Sequence, residues 1–156
     1  MGAGKTTVGA ILAAAWGVTL RDTDADVEAA EGRSVSDIFV ESGEAVFREL
    51  EAAAVAEALA THDGVLALGG GAVLDPRTRD LLTGHPVVFL RVGLSDAVNR
   101  VGLGVGRPLL LGNVRSRVKA LLDERTPVYE SVATISVDTD GRTPEDVASE
   151  IQEELR

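Results

Sequence analysis

Apolar positions along the chain follow two alternating rhythms, one helical and one strand-like. Val8, Ile11, Leu12, Ala15 and Trp16 stand at i, i+3, i+4, i+7 and i+8. They form one face of a helix predicted over residues 5–16, which Gly17 ends. Val18-Thr19-Leu20-Arg21 reads as a short strand that delivers Asp22-Thr23-Asp24 at its C-terminal end. Two helical segments follow, near 24–31 and 34–41. A long alanine-rich helix is predicted from Glu44 to Thr61.

Val65-Leu66-Ala67-Leu68 is a continuous apolar run, the pattern of a buried parallel strand, and it leads into Gly69-Gly70-Gly71. Asp75-Pro76 supplies an N-cap and a first-turn proline for a helix to about Leu82. Val87 to Val92 is a second buried strand. A helix near 95–101 precedes a glycine-rich stretch at 102–112. A helix near 114–125, a strand at 133–137 and a last helix from Thr143-Pro144 complete the pattern. Strands alternating with helices predict an α/β domain with a mostly parallel sheet. No internal repeat or long linker divides residues 1–156, so a single domain is expected.

Composition narrows the function. The 156 residues are 45% hydrophobic and 26% charged, a globular balance. Cysteine is absent, which excludes disulfides and thiolate metal sites and suits a reducing cytoplasm. His62 and His85 lie in loop-like contexts without metal-site spacing. A formal charge of −10 disfavours nucleic acid as a partner. Bulk charge is screened over about 8 Å at physiological salt, so local cations decide anion binding. The arginines at 48, 100, 107, 125 and 142 therefore need partners.

Lys5 followed by the apolar run Val8 to Trp16 imitates a signal peptide. Thr6 and Thr7 split the charge from that run, and acidic residues follow it. The first six residues also satisfy a loose myristoylation pattern. No apolar run reaches the roughly eighteen residues of a membrane span. A cytoplasmic protein is expected, without membrane or nucleic-acid partners, and a monomer.

The same N-terminal residues have a better explanation. Gly2-Ala3-Gly4-Lys5-Thr6-Thr7, opening an amphipathic helix, is the end of a P-loop. Glycines let backbone N–H groups turn inward around phosphate oxygens, and the helix N-terminus adds partial positive charge. Lys5 would reach the β- and γ-phosphates of ATP, and the Thr6 hydroxyl would ligate Mg²⁺. The alternative is a glycine-rich helix start that binds nothing. The first glycine of the full pattern would precede Met1, and the strand that feeds such a loop is absent from the sequence. The expectation is a start placed about ten residues late, or a truncation, judged from the usual strand-to-loop spacing.

Other segments allow two readings each. Asp22 and Asp24 emerge where open α/β sheets hold ligands. They are either a metal-and-substrate pair or an acidic turn in which Asp24 caps its helix. Arg48 is flanked by Glu44 and Glu51 at helical spacing, as a surface ion pair or as an oriented guanidinium. Gly69-Gly70-Gly71 is either a flexible link or a close backbone approach to a ligand. The stretch at 102–112, with Arg107-Pro108-Leu109, is a mobile loop or a lid over ATP.

Taken in order, these segments resemble the shikimate kinase family over essentially the entire chain. The matching segments are Gly2 to Thr7, Asp22-Thr23-Asp24, Gly32-Arg33-Ser34 with Ile38-Phe39, Gly43-Glu44, Phe47-Arg48 and Glu51. Leu68 to Val73, Arg107-Pro108-Leu109-Leu110 and Arg125 with Pro127 and Tyr129 complete the series. The P-loop alone is shared by many nucleotide-binding proteins, whereas the later segments at these spacings are far more specific.

The resemblance implies a three-layer P-loop domain, with a central parallel sheet between helices. Substrate-binding helices would occupy about 24–61 and a lid about 102–113. It implies transfer of the γ-phosphoryl of ATP to the 3-hydroxyl of shikimate. Gly2, Ala3, Gly4, Lys5, Thr6 and Thr7 would bind ATP phosphate. Thr6 would hold Mg²⁺, with Asp22 assisting. Asp24 would contact the acceptor hydroxyl as base. Arg48 and Arg125 would clamp the shikimate carboxylate, and Gly69, Gly70 and Gly71 would hold its hydroxyls. Phe39 and Phe47 would wall the pocket. Arg107 would reach the phosphates from the lid, and Arg100, Arg142 and Pro144 would border the adenine. The rivals are another P-loop metabolite kinase, such as a gluconate kinase, and an inactive nucleotide-binding homologue. A GTPase-type switch would call for an Asn-Lys-x-Asp segment, which the chain lacks.

Overall fold

The alternation of strand and helix predicted from the sequence is realised in the computed structural model, which describes residues 3–105 and 111–156. These residues form two compact units. One is Gly9–Gly84; the other joins the N-terminal residues through Val8 to His85–Arg156.

In the Gly9–Gly84 unit, residues 9–16 of helix α1 (Lys5–Trp16) lead to strand β1 (Leu20–Asp22), then to helices α2 (Thr23–Glu31), α3 (Val35–Ser42) and α4 (Glu44–Thr61). Strand β2 (Val65–Ala67), a 3₁₀ turn (Ala72–Leu74) and helix α5 (Pro76–Leu82) follow. β1 and β2 run parallel, with Leu20 beside Val65 and Asp22 beside Ala67. Val27, Ile38 and Phe47 make the core between α2, α3 and α4, packed by Val35, Leu50 and Ala54. Burial of a side chain the size of Ile38 stabilises by roughly 1.5–3 kcal/mol. Of the predicted α1 face, Leu12 is buried, but Ala13 replaces Ala15 and Trp16, which are exposed.

The turn between α4 and β2 is tight. His62 Nε2 lies 3.2 Å from the Thr19 carbonyl and 3.1 Å from that of Val65. A nitrogen facing two acceptors has to carry the proton. A Cβ on Gly64 would collide with the Thr19 carbonyl oxygen. Gly64→Ala is therefore expected to destabilise the fold by about 1–3 kcal/mol, as overpacking does. A thermal melt checks this, and an unchanged Tm would contradict the clash.

In the other unit, strand β3 (Val88–Arg91) and helix α6 (Leu94–Val105) precede helix α7 (Leu111–Val132), strand β4 (Ile135–Asp138) and helix α8 (Pro144–Glu154). β3 and β4 are parallel, with Val88 beside Ile135 and Arg91 beside Asp138. Val92, Ala97 and Val118 form its core, with Leu94, Val98, Val114 and Leu122 around them. The Gly93 N–H donates to both carboxylate oxygens of Asp140, each at 2.9 Å. A side chain at Gly93 would strike that carboxylate.

Three details differ from the sequence-based expectation. The four strands form two separate two-stranded sheets among the described residues. Each has one ladder partner there, so most strand positions are half-buried rather than buried. Helix α7 does not stop at 125, although a residue before proline disfavours helix. It continues through Pro127 to Val132. There Tyr129 packs on Phe89 with ring centroids 5.1 Å apart. Finally, the cap of α2 is Asp22, whose Oδ1 accepts the Asp24 N–H at 2.9 Å, and not Asp24. Among the described residues, no helix is long and apolar enough to cross a membrane.

Candidate active site

Strand β1 ends at Asp22, and the capping bond to the Asp24 N–H turns the chain directly into α2. This places Asp24 in the first helical turn, where a carboxylate is favoured by the helix dipole. Between them Thr23 is fully buried, and its hydroxyl reaches the Ala67 carbonyl of β2 at 3.5 Å. Asp24 Oδ1 is itself buried.

Helix α4 supplies the cation. Arg48 donates from Nη1 to Glu51 Oε1 at 2.8 Å and from Nη2 to Glu44 Oε1 at 3.4 Å. The two glutamates that flank it in sequence thus both engage it, and they differ in kind. The Glu51 side chain is 4% exposed, that of Glu44 67%. An exposed ion pair contributes little. A buried carboxylate held to a guanidinium fixes the position of both groups. The Arg48 guanidinium also lies 5.4 Å from the Phe47 ring centroid, a cation–π distance. Phe39 stacks on Phe47 at 4.8 Å.

The loop after β2 meets these groups without slack. A Cβ on Gly69 would sit 2.8 Å from Glu51 Oε2 and 2.9 Å from Asp24 Oδ1. A Cβ on Gly71 would overlap the Arg48 guanidinium. The glycines are therefore a close backbone approach rather than a flexible link. Asp24, Arg48, Glu51, Gly69 and Gly71 form one polar cluster in the Gly9–Gly84 unit.

The other unit holds the remaining predicted residues. Gly4 has φ +81° and accepts the Val8 N–H at 3.0 Å, and Lys5 begins α1. The left-handed turn at Gly4 requires glycine. Thr6 and Thr7 are exposed on the first turn, with Ala3 half-buried before them. Arg125 on α7 carries a buried Nε without a hydrogen-bond partner among the described residues. A buried unsatisfied donor costs about 1–3 kcal/mol unless a ligand meets it. Arg100 is exposed on α6. Arg142 donates to the carbonyls of Asp138 and Asp146 and pairs with Glu150 at 2.6 Å. Pro144 opens α8 behind its Thr143 cap. Gly2, Arg107 and the centre of the expected lid lie outside the described residues. No cluster of three or more metal-ligating side chains occurs among the described residues.

The sequence reading gives Glu51 only as a neighbour that could orient Arg48, and its burial is also legible there. Glu51 falls four residues after Phe47 and four before Val55, on the buried stripe of α4. A carboxylate on an apolar face requires a partner. Arg79 was passed over; its guanidinium donates to the carbonyls of Val73 and Leu74, just beyond the glycines.

The shikimate kinase family profile matches residues 1–156. The shikimate kinase of Thermobifida fusca (strain YX) is 60% identical over 154 residues, covering 99% of this chain and 90% of that protein. That of Salinispora tropica is 61% identical over 150 residues, covering 96% and 90%. Among solved structures, the shikimate kinase from Acinetobacter baumannii in complex with shikimate superposes with a TM-score of 0.92. It is 34% identical and is covered to 88%, against 99% of this chain. Sequence and fold agree along the length of the chain: it belongs to the shikimate kinase family.

Proposed function

We propose that the family reaction, transfer of the γ-phosphoryl group of ATP to the 3-hydroxyl of shikimate, is divided among residues of this chain as follows. The observation that carries the reading is the convergence of the Asp24 carboxylate and the Glu51-tethered Arg48 guanidinium on Gly69 and Gly71. A small hydroxylated carboxylic acid has a group for each of these: carboxylate for guanidinium, hydroxyl for carboxylate and backbone.

Arg48, with Arg125, binds the shikimate carboxylate, and Phe39 and Phe47 wall the ring. The backbone of Gly69, Gly70 and Gly71 holds the remaining hydroxyls. Asp24 accepts the proton of the 3-hydroxyl as its oxygen bonds to the γ-phosphorus. The bond from that phosphorus to the bridging oxygen of ADP breaks in line. Such a transfer needs mainly positioning and charge stabilisation. Ala3, Gly4, Thr7 and the start of α1 cradle the phosphates together with Gly2. Lys5 and Arg107 offset the charge on the transferring group. Arg100, Arg142 and Pro144 border the adenine.

Mg²⁺ fits the donors Thr6 and Asp22, a hydroxyl and a carboxylate oxygen of the hard kind it takes. Few protein ligands are expected where phosphate oxygens and water complete its shell. When bound it would neutralise phosphate charge. Residues 1–156 act as one kinase domain, monomeric and cytoplasmic, without nucleic-acid or membrane partners.

The test is ADP release from Mg-ATP with shikimate, with gluconate and without acceptor. Shikimate-dependent release alone is expected. Release with gluconate, or with no acceptor preference, would overturn the substrate assignment. EDTA is expected to stop turnover and added Mg²⁺ to restore it. Undiminished turnover in EDTA would remove the metal from the mechanism.

A further inference from the structure

The 3₁₀ turn Ala72–Leu74 follows directly on the glycine loop, and its own hydrogen bonds stop short. The Ala72 N–H reaches the Gly69 carbonyl and the Leu74 N–H the Gly71 carbonyl, each at 3.1 Å. The Asp75 N–H reaches the Ala72 carbonyl at 3.4 Å. The next two carbonyls, of Val73 and Leu74, face the end of a short helical turn, where acceptors are left over. Both are met by one atom. Arg79 Nη1 donates to the Val73 carbonyl at 2.8 Å and to the Leu74 carbonyl at 3.0 Å. Val73 is buried and Arg79 half-buried, so these bonds are partly shielded from water.

We propose that Arg79 is a positioning residue for shikimate. Its guanidinium clamps the Val73 and Leu74 carbonyls and so holds Gly69–Gly71 against Asp24, Glu51 and Arg48. The glycine contacts have no slack, since even a Cβ at Gly69 or Gly71 would clash. A turn that drifts by a fraction of an ångström therefore shifts the backbone donors relative to the Arg48 guanidinium. This rests on the assignment of the glycine loop to shikimate made above.

Arg77, two residues away, provides the contrast. It joins Asp75 to Glu49 at 2.7 and 2.9 Å, but its side chain is 59% exposed. Its hydrogen bonds hold the Asp75 carboxyl below the ordinary carboxylate range. Its guanidinium bonds go to side chains and not to the carbonyls of the turn. Because a single nitrogen serves both carbonyls, the planar fork of arginine is not required. A lysine ammonium, a compact multiple donor, can take its place.

The experiment measures KM for shikimate and for ATP, kcat and Tm in Arg79→Met, Arg79→Lys, Arg77→Ala and Gly71→Ala. Arg79→Met is expected to raise the shikimate KM roughly ten-fold while the ATP KM stays within about two-fold, the scale of a small misplacement of binding groups. Arg79→Lys is expected to recover most of that loss, and Arg77→Ala to leave both constants unchanged. An equal rise in both KM values for Arg79→Met, or no recovery with lysine, would overturn the proposal. So would an Arg77→Ala effect as large as that of Arg79→Met. If Gly71→Ala raises the shikimate KM and Arg79→Met does not, the clamp fails while the loop assignment stands. If Gly71→Ala also leaves the shikimate KM unaltered, the loop assignment itself fails.

Discussion

Asp24→Asn is expected to lower kcat by about 100-fold or more, the usual range for a general base, with little change in KM for shikimate. Asparagine keeps the size and much of the hydrogen bonding of aspartate but cannot take up the hydroxyl proton. The substitution leaves the backbone cap intact, because the Asp24 N–H, not its side chain, bonds Asp22. It also removes one of two carboxylates that converge on Gly69. Like charges at one spot disfavour each other. Tm is therefore expected to hold or rise while activity falls, the pattern of a functional residue kept at some cost in stability. A kcat near that of the unaltered protein would refute the base role, however Tm responds.

Arg48→Ala is expected to raise the KM for shikimate by roughly 100-fold or more, as truncation of a charged binding pair does. The KM for ATP should stay within about two-fold. The change also takes the 2.8 Å cationic partner from Glu51, whose side chain is 4% exposed. Breaking such a pair from one side destabilises by roughly 3 kcal/mol. The two effects separate in the double variant Arg48→Ala/Glu51→Gln. Neutralising the glutamate should recover much of the Tm without recovering shikimate affinity. Equal losses for shikimate and ATP would count against a carboxylate clamp. Full recovery of affinity in the double variant would mean that Glu51, not Arg48, governs binding.

Much of the fold was legible because local signals were strong. The alanine-rich run gives α4 over the residues its composition predicts, Glu44–Thr61. Asp75-Pro76 and Thr143-Pro144 cap α5 and α8 as their pattern requires. What the sequence hid was set by tertiary contacts. Pro127 reads locally as a stop, yet α7 continues and Tyr129 packs on Phe89. The division of four strands into two pairs depends on long-range ladders that no local pattern encodes. Asp24 reads locally as the cap of its helix, and only the turn out of β1 gives that place to Asp22.

The site divides in the same way. Residue types that must touch a ligand stand out in sequence as charges and glycines in unusual settings. Residues that hold those groups stand out only in part. Glu51 was visible as a charge on an apolar stripe once helix α4 was drawn. Arg79 leaves no such trace, since its partners are main-chain carbonyls.

The tight fit of Gly69 and Gly71 bears on drug resistance. An inhibitor that takes its main hydrogen bonds from the backbone there would rest on positions where any side chain meets Asp24 and Glu51, or Arg48. Escape by substitution at the glycines would disable the enzyme together with the inhibitor site. Resistance should instead arise at side chains whose exchange leaves Asp24, Glu51 and Arg48 in place against the glycine loop.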